Sequence, residues 1–168
     1  MILGSKLGYI GDHDSVVNSD VSTEDYYRLL RLPILQLAPS YIYTGLFPGS
    51  EQAVAMIATE LEIPYTVLIS FKREHYSGRW SKFERERYVL LRKKAEQIVY
   101  ADPEQDPSNR QSLTLSKMAS LKNWCVGYII SNSDYIATNI TSTERISFIV
   151  KALKEGKSIM NLSSYVQK

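Results

Sequence analysis

Ten consecutive residues, Tyr43-Thr44-Gly45-Leu46-Phe47-Pro48-Gly49-Ser50-Glu51-Gln52, bring together the types that handle a phosphorylated ligand. Gly45 and Gly49 can take positive φ and let a ligand approach the backbone closely. A β-prone run, Tyr41-Ile42-Tyr43, leads into them. Ser50 then opens an amphipathic helix in which Val54, Ile57, Ala58 and Leu61 recur at i, i+3, i+4 and i+7. Strand, glycine-bearing turn and helix start form the arrangement that presents bare N–H groups to an anion. Glu51 lies in the first helical turn, where a carboxylate is stabilised by the dipole. Its chemical reading is contact with a ribose hydroxyl or a water.

The elements that must position this turn alternate along the chain. Met1–Ser5 reads as a first strand, followed by a turn-rich stretch over 7–22 with Gly8, Gly11 and Asn18 as breakers. Ser22-Thr23-Glu24-Asp25 reads as a helix start, with the helix running to about Leu37 and kinked or split at Pro33. After strand Tyr41–Tyr43 and helix Ser50–Leu61 comes Pro64–Ser70, a near-continuous apolar run typical of a buried parallel strand. A charged helix over Ser81–Gln97, strand Ile98–Tyr100, a loop over 101–112 and a helix over Leu113–Ile129 follow. Strand Tyr135–Ile140 precedes a helix begun by Ser142-Thr143-Glu144, with Ile146, Ile149, Val150 and Leu153 on one face and Gly156 ending it. Ser158–Leu162 is the last strand. Strands alternating with helices predict an α/β, doubly wound, mainly parallel sheet with helices on both faces, in one domain over 1–168.

Ligands of such sheets sit outside the carboxyl ends of the strands. That rule selects Gly4, Ser5 and Lys6, then Thr44 to Gln52, then the 71–80 loop with Trp80, then Asn139 to Glu144. Thr44, Ser50, Thr141, Ser142 and Thr143 supply hydroxyls, and Trp80 or Phe47 can stack on a base.

Composition excludes other classes. Hydrophobic residues are 44% and charged residues 23%, the balance of an ordinary globular chain. A net charge of +2 is too even to advertise nucleic acid or a membrane surface. No apolar run reaches the ~20 residues of a transmembrane helix, and the start does not read as a signal peptide. Cys125 is the single cysteine, so disulfides and cysteine-based zinc sites are out, and a reducing cytosol fits. Gly11-Asp12-His13-Asp14 has metal-like residue types in a spacing that fits no known site, so no metal and no cofactor is expected. His75 reads as a loop residue, and the basic run Lys82–Lys94, interleaved with Glu84 and Glu86, reads as a solvated helix face.

Thr44-Gly45-Leu46-Phe47-Pro48-Gly49-Ser50-Glu51-Gln52-Ala53 resembles the "TGMALGVDQWAAE" motif of the YpsA-like proteins, within the DprA/LOG-like (SLOG) Rossmann superfamily. Arg79-Trp80-Ser81, Arg87-Tyr88, Leu90-Leu91 and Ala95 to Tyr100 are similar to that family's "W…RY..LL..AD.V.Y". Met118, Lys122-Asn123-Trp124 and Ser131 to Asp134 resemble its "M..RN.WMVD.SD", and Ile2 to Lys6 take the place of its "VTGHR" start. The resemblance spans most of 40–162 in the same order.

That resemblance implies a Rossmann-like sheet binding a nucleotide or nucleotide derivative, such as an ADP-ribose species, and admits a homodimer formed through flanking helices. It does not imply one activity. The catalytic branch carries "PGGxGTxxE", whereas this chain has Thr138-Asn139-Ile140-Thr141-Ser142-Thr143-Glu144, without glycine. The favoured reading is therefore a non-catalytic sensor or sequestering module. The alternative is a nucleotide N-glycosidase, with Glu51 or Glu144 as the carboxylate such hydrolysis needs. Single-stranded nucleic-acid binding is a weaker reading, against which the even charge speaks.

Overall fold

The computed structural model describes residues 5–11, 22–70, 80–102, 114–139 and 146–162. The expected α/β architecture is present: a six-stranded, all-parallel, Rossmann-like sheet with helices on both faces. Its strands are β1 (Lys6–Ile10), β2 (Tyr41–Thr44), β3 (Tyr65–Ile69), β4 (Gln97–Tyr100), β5 (Tyr135–Thr138) and β6 (Ser158–Asn161), in spatial order β4-β3-β2-β1-β5-β6. The described helices are α1 (Thr23–Leu37), α2 (Ser50–Glu60), α3 (Lys82–Lys94), α4 (Leu115–Asn132) and α5 (Ile146–Lys154). None of them is long and apolar enough to cross a membrane.

Alternation along β1 sorts the two cores. Leu7 and Tyr9 join the cluster under α1, α2 and α3, with Leu30, Ile34, Ile42, Ile57 and Val67. Ile10 joins the opposite cluster, with Cys125, Ile129, Ile136, Phe148 and Ala152 under α4 and α5. Each large apolar side chain buried in this way contributes about 1.5–3 kcal/mol.

Five expectations need correction. The first strand is Lys6–Ile10, not Met1–Ser5; Met1–Gly4 lie outside the described residues. Gly8 read as a breaker, yet it is a strand residue that lets α4 lie close. A Cβ there would meet Ser133 Oγ at 2.3 Å, Ile129 Cγ2 at 2.6 Å and Ile136 Cδ1 at 2.9 Å. Pro33 does not split α1, which runs unbroken from Thr23 to Leu37. An interior proline costs about 3 kcal/mol, which burial of Tyr26, Leu30, Ile34 and Leu37 on the same helix offsets. The charged helix α3 stops at Lys94, because Ala95 turns extended and Glu96 N donates to Tyr65 O at 2.9 Å to start β4. Finally, α5 buries Phe148 and Ala152, while Val150 and Leu153 face outward. Its expected start at Ser142–Glu144 lies outside the described residues.

The order places β1 between β2 and β5, with their following helices on opposite faces. That is the topological switch point of a doubly wound sheet. Thr138 Oγ1 donates to Ile10 O at 2.7 Å, tying the carboxyl ends of β5 and β1 together there.

Candidate functional site

Gly11, Gly45, Ser70 and Asn139 directly follow β1, β2, β3 and β5 and share the carboxyl edge of the sheet. The centre of that edge is Glu51, only 5% exposed in the first turn of α2. Its Oε1 accepts from Phe47 N at 3.3 Å. Two glycines make room for it. A Cβ on Gly45 would lie 1.9 Å from Glu51 Oε1, and one on Gly11 would lie 3.3 Å from Glu51 Cγ and 2.6 Å from Ser50 Oγ.

This changes the reason for the glycines. Gly49 does take positive φ, at 103°, and caps α2 without a side chain. Gly45 has no positive φ; what it needs is the absence of a side chain beside the carboxylate. The turn's amides are also less bare than the sequence suggests. Gly49 N donates to Thr23 Oγ1 at 2.8 Å, and Phe47 N is taken by Glu51. Glu51 thus stands at the helix start where an anion was expected, in the position the dipole favours.

Thr44 and Gln52 are fully buried, and Ser50 nearly so. Thr44 Oγ1 donates to Gly45 O at 3.2 Å. Gln52 Nε2 donates to Leu46 O at 3.1 Å and to Glu84 O at 3.3 Å, so its amide locks the turn to α3. Phe47 lies at the turn's tip, edge-on to Trp80 at 6.0 Å, and Trp80 in turn stacks toward Tyr88 at 5.5 Å. Trp80 is therefore half-buried against the core as well as next to the turn.

Ser5 and Lys6 do not join this group. With β1 corrected, they lie at the amino edge of the sheet. Ser5 O accepts from Ser40 N at 3.1 Å, and Lys6 N donates to Asp134 Oδ2 at 2.7 Å. Asn139 is buried at the carboxyl edge beside the switch point. Gly4, Thr141, Ser142, Thr143 and Glu144 lie outside the described residues, as do Asp12, His13, Asp14 and His75. Among the described residues no group of three His, Cys, Asp or Glu could hold a metal ion.

Behind Gly45 and Glu51 lies a narrow cavity of about 20 Å³, room for about one water. Tyr9, Ile10, Leu68 and Ser70 form its floor, and Lys122, Cys125, Val126 and Ile129 of α4 its far wall. Burial first, then the negative charge of Glu51, pushes the Cys125 thiol up to about 12, so it is protonated and inert. Sequence reasoning missed Tyr9, Gly11, Ser70 and Lys122 as site residues. The apolar run Leu7 to Ile10 was the available signal for Tyr9 and Gly11, because a strand there ends at Gly11. Nothing local marks Lys122, which reaches the edge only because α4 crosses to the opposite face.

No protein-family model matches this chain, and no curated protein matches it in sequence.

Proposed function

We propose that this protein binds a nucleotide-derived small molecule, of the ADP-ribose kind, at the carboxyl edge beside the switch point. In this reading it is a YpsA-like member of the SLOG superfamily, working in the cytoplasm as a sensor or sequestering module rather than an enzyme. The observation that carries the reading is the buried carboxylate of Glu51, seated between Gly11 and Gly45 at the ends of adjacent central strands. Its carboxylate oxygens suit a ligand's hydroxyl pair, since a carboxylate after the second strand of such sheets accepts from ribose hydroxyls. With Glu51 at the start of α2, the ligand's hydroxyls belong there and its phosphates elsewhere. The hydrolase alternative has one carboxylate, Glu51, lining the described cavity, where the two-carboxylate pattern of glycoside hydrolysis needs a second.

The test is a thermal-shift screen of mono- and dinucleotides, cyclic nucleotides and ADP-ribose, with mass spectrometry on each mixture. A ligand at 100-fold above Kd adds about 2.7 kcal/mol of stability. We expect a shift with the ligand intact, and an affinity lowered about 10- to 100-fold in Glu51→Gln, the value of a hydrogen bond to a charged group. A shift accompanied by cleavage that Glu51→Gln abolishes makes the protein a hydrolase. No shift with any compound overturns the binding reading.

A further inference from the structure

Among the polar side chains lining the cavity behind Glu51, Ser70 and Lys122 stand apart from the hydroxyl-binding role. Ser70, at the end of β3, is 6% exposed, and its Oγ has no hydrogen-bond partner. A buried hydroxyl left unpaired costs free energy that a ligand atom or a water can recover. Lys122 belongs to α4, on the other face of the sheet, yet lines the same cavity. Its placement follows from helix register. Leu121, Cys125 and Ile129 recur every four residues as the buried stripe of α4, which sets Lys122 at the stripe's margin, on the cavity rim. Its Nζ lies 5.5 Å from the centroid of the Phe47 ring, a cation held over the tip of the β2–α2 turn.

We propose that Lys122 and Ser70 form an anion subsite that reads a phosphate or carboxylate of the bound molecule. The proposal rests on the reading that Glu51 takes the ligand's hydroxyls, and completes it by giving the two ends of the ligand opposite walls. Glu51 repels an anion at the start of α2, and Lys122 attracts one across the cavity. A phosphate is larger than the cavity, so it sits at the mouth against the ammonium, and the Ser70 hydroxyl reaches it through one enclosed water. Phe47, between the two walls, yields its cation contact as the anion arrives. The site therefore selects an anionic sugar derivative over its neutral counterpart.

The experiment is titration calorimetry on the full chain with adenosine, AMP, ADP-ribose and pyrophosphate, for the native protein, Lys122→Met, Ser70→Ala and Glu51→Gln. Methionine keeps the apolar stem of Lys122 and removes its charge. Lys122→Gln replaces it if that variant fails to fold. The native protein should prefer AMP to adenosine. Lys122→Met should weaken AMP, ADP-ribose and pyrophosphate about ten-fold, the value of one charge-assisted contact, and leave adenosine unchanged. Ser70→Ala should act in the same direction and less strongly. Equal losses for AMP and adenosine, or no preference in the native protein, overturn the subsite while the nucleotide reading stands. Pyrophosphate binding that depends on Lys122, with no binding of any adenosine compound, overturns the nucleotide reading and leaves the subsite. No binding of any probe overturns both.

Discussion

Gly45 is glycine because a carboxylate oxygen stands where its Cβ would be. Overpacking at such a point costs about 1–3 kcal/mol. Gly45→Ala should therefore lower stability by about that much in urea melts. The same substitution in a Glu51→Ala background should cost far less, since the clash is with Glu51 alone. Strictly additive losses would show that the two residues do not compete for that space. Cys125 gives a second expectation. A thiol raised from 9.0 to about 12 favours the folded state while it is protonated. Its contribution is whole below pH 9 and is lost as pH climbs toward about 12. Iodoacetamide at pH 8 should leave Cys125 unmodified in the native protein and label it in urea. Fast native labelling would mean that the α4 wall opens readily. The Gly45–Gly49 stretch was legible as a strand-to-helix turn, but the conformational reason given for its glycines holds only at Gly49. A glycine kept for space looks the same in sequence as one kept for its φ.

Among the elements, α1, α2 and α3 form a layer laced by surface ion pairs. Glu24 of α1 pairs with Arg87 of α3, and Glu60 of α2 takes both Arg31 and Tyr27 of α1. The backbone amide at Glu24 and then Arg87 hold the Glu24 carboxyl below its ordinary range, and Arg31 followed by Tyr27 does the same for Glu60. A lowered carboxyl pKa stabilises the fold above the ordinary value near 4.5 and loses that stability as pH falls. Melting temperature should thus fall between pH 6 and pH 3, less steeply in high salt, and less steeply in Arg87→Gln than in the native chain. An unchanged slope in Arg87→Gln would mean the α1–α3 pair adds nothing. The helix starts were legible from their caps. Ser22 with Asp25, and Ser81 with Glu84, close reciprocal capping boxes, as Ser-x-x-acid spacing predicts. β1 was not legible, because Gly8 weakens the strand signal and the reason for it, the close lie of α4, comes from 121 residues further on, at Ile129.

At the scale of the molecule, alternating elements were enough to read a parallel doubly wound sheet, since each apolar run had to be buried on both faces. The strand order was not in the pattern. Whether β5 returns beside β4 or crosses to the far side of β1 depends on which faces the helices cover. That choice decides that α4, and with it Lys122, shares an edge with Glu51. The same crossing has a temporal consequence. β1 leaves the ribosome before either of its neighbours, and β2 can pair with one side of it within some forty residues. Its other side must wait for Asp134 and Thr138, each 128 positions downstream of its β1 partner. Until then the strand at the heart of the sheet is an unprotected rim bearing Leu7, Tyr9 and Ile10, the kind of surface that recruits stray strands or a holding chaperone. The nascent chain is at its most vulnerable where the finished protein is most deeply enclosed, and that vulnerability ends only when β5 has been made.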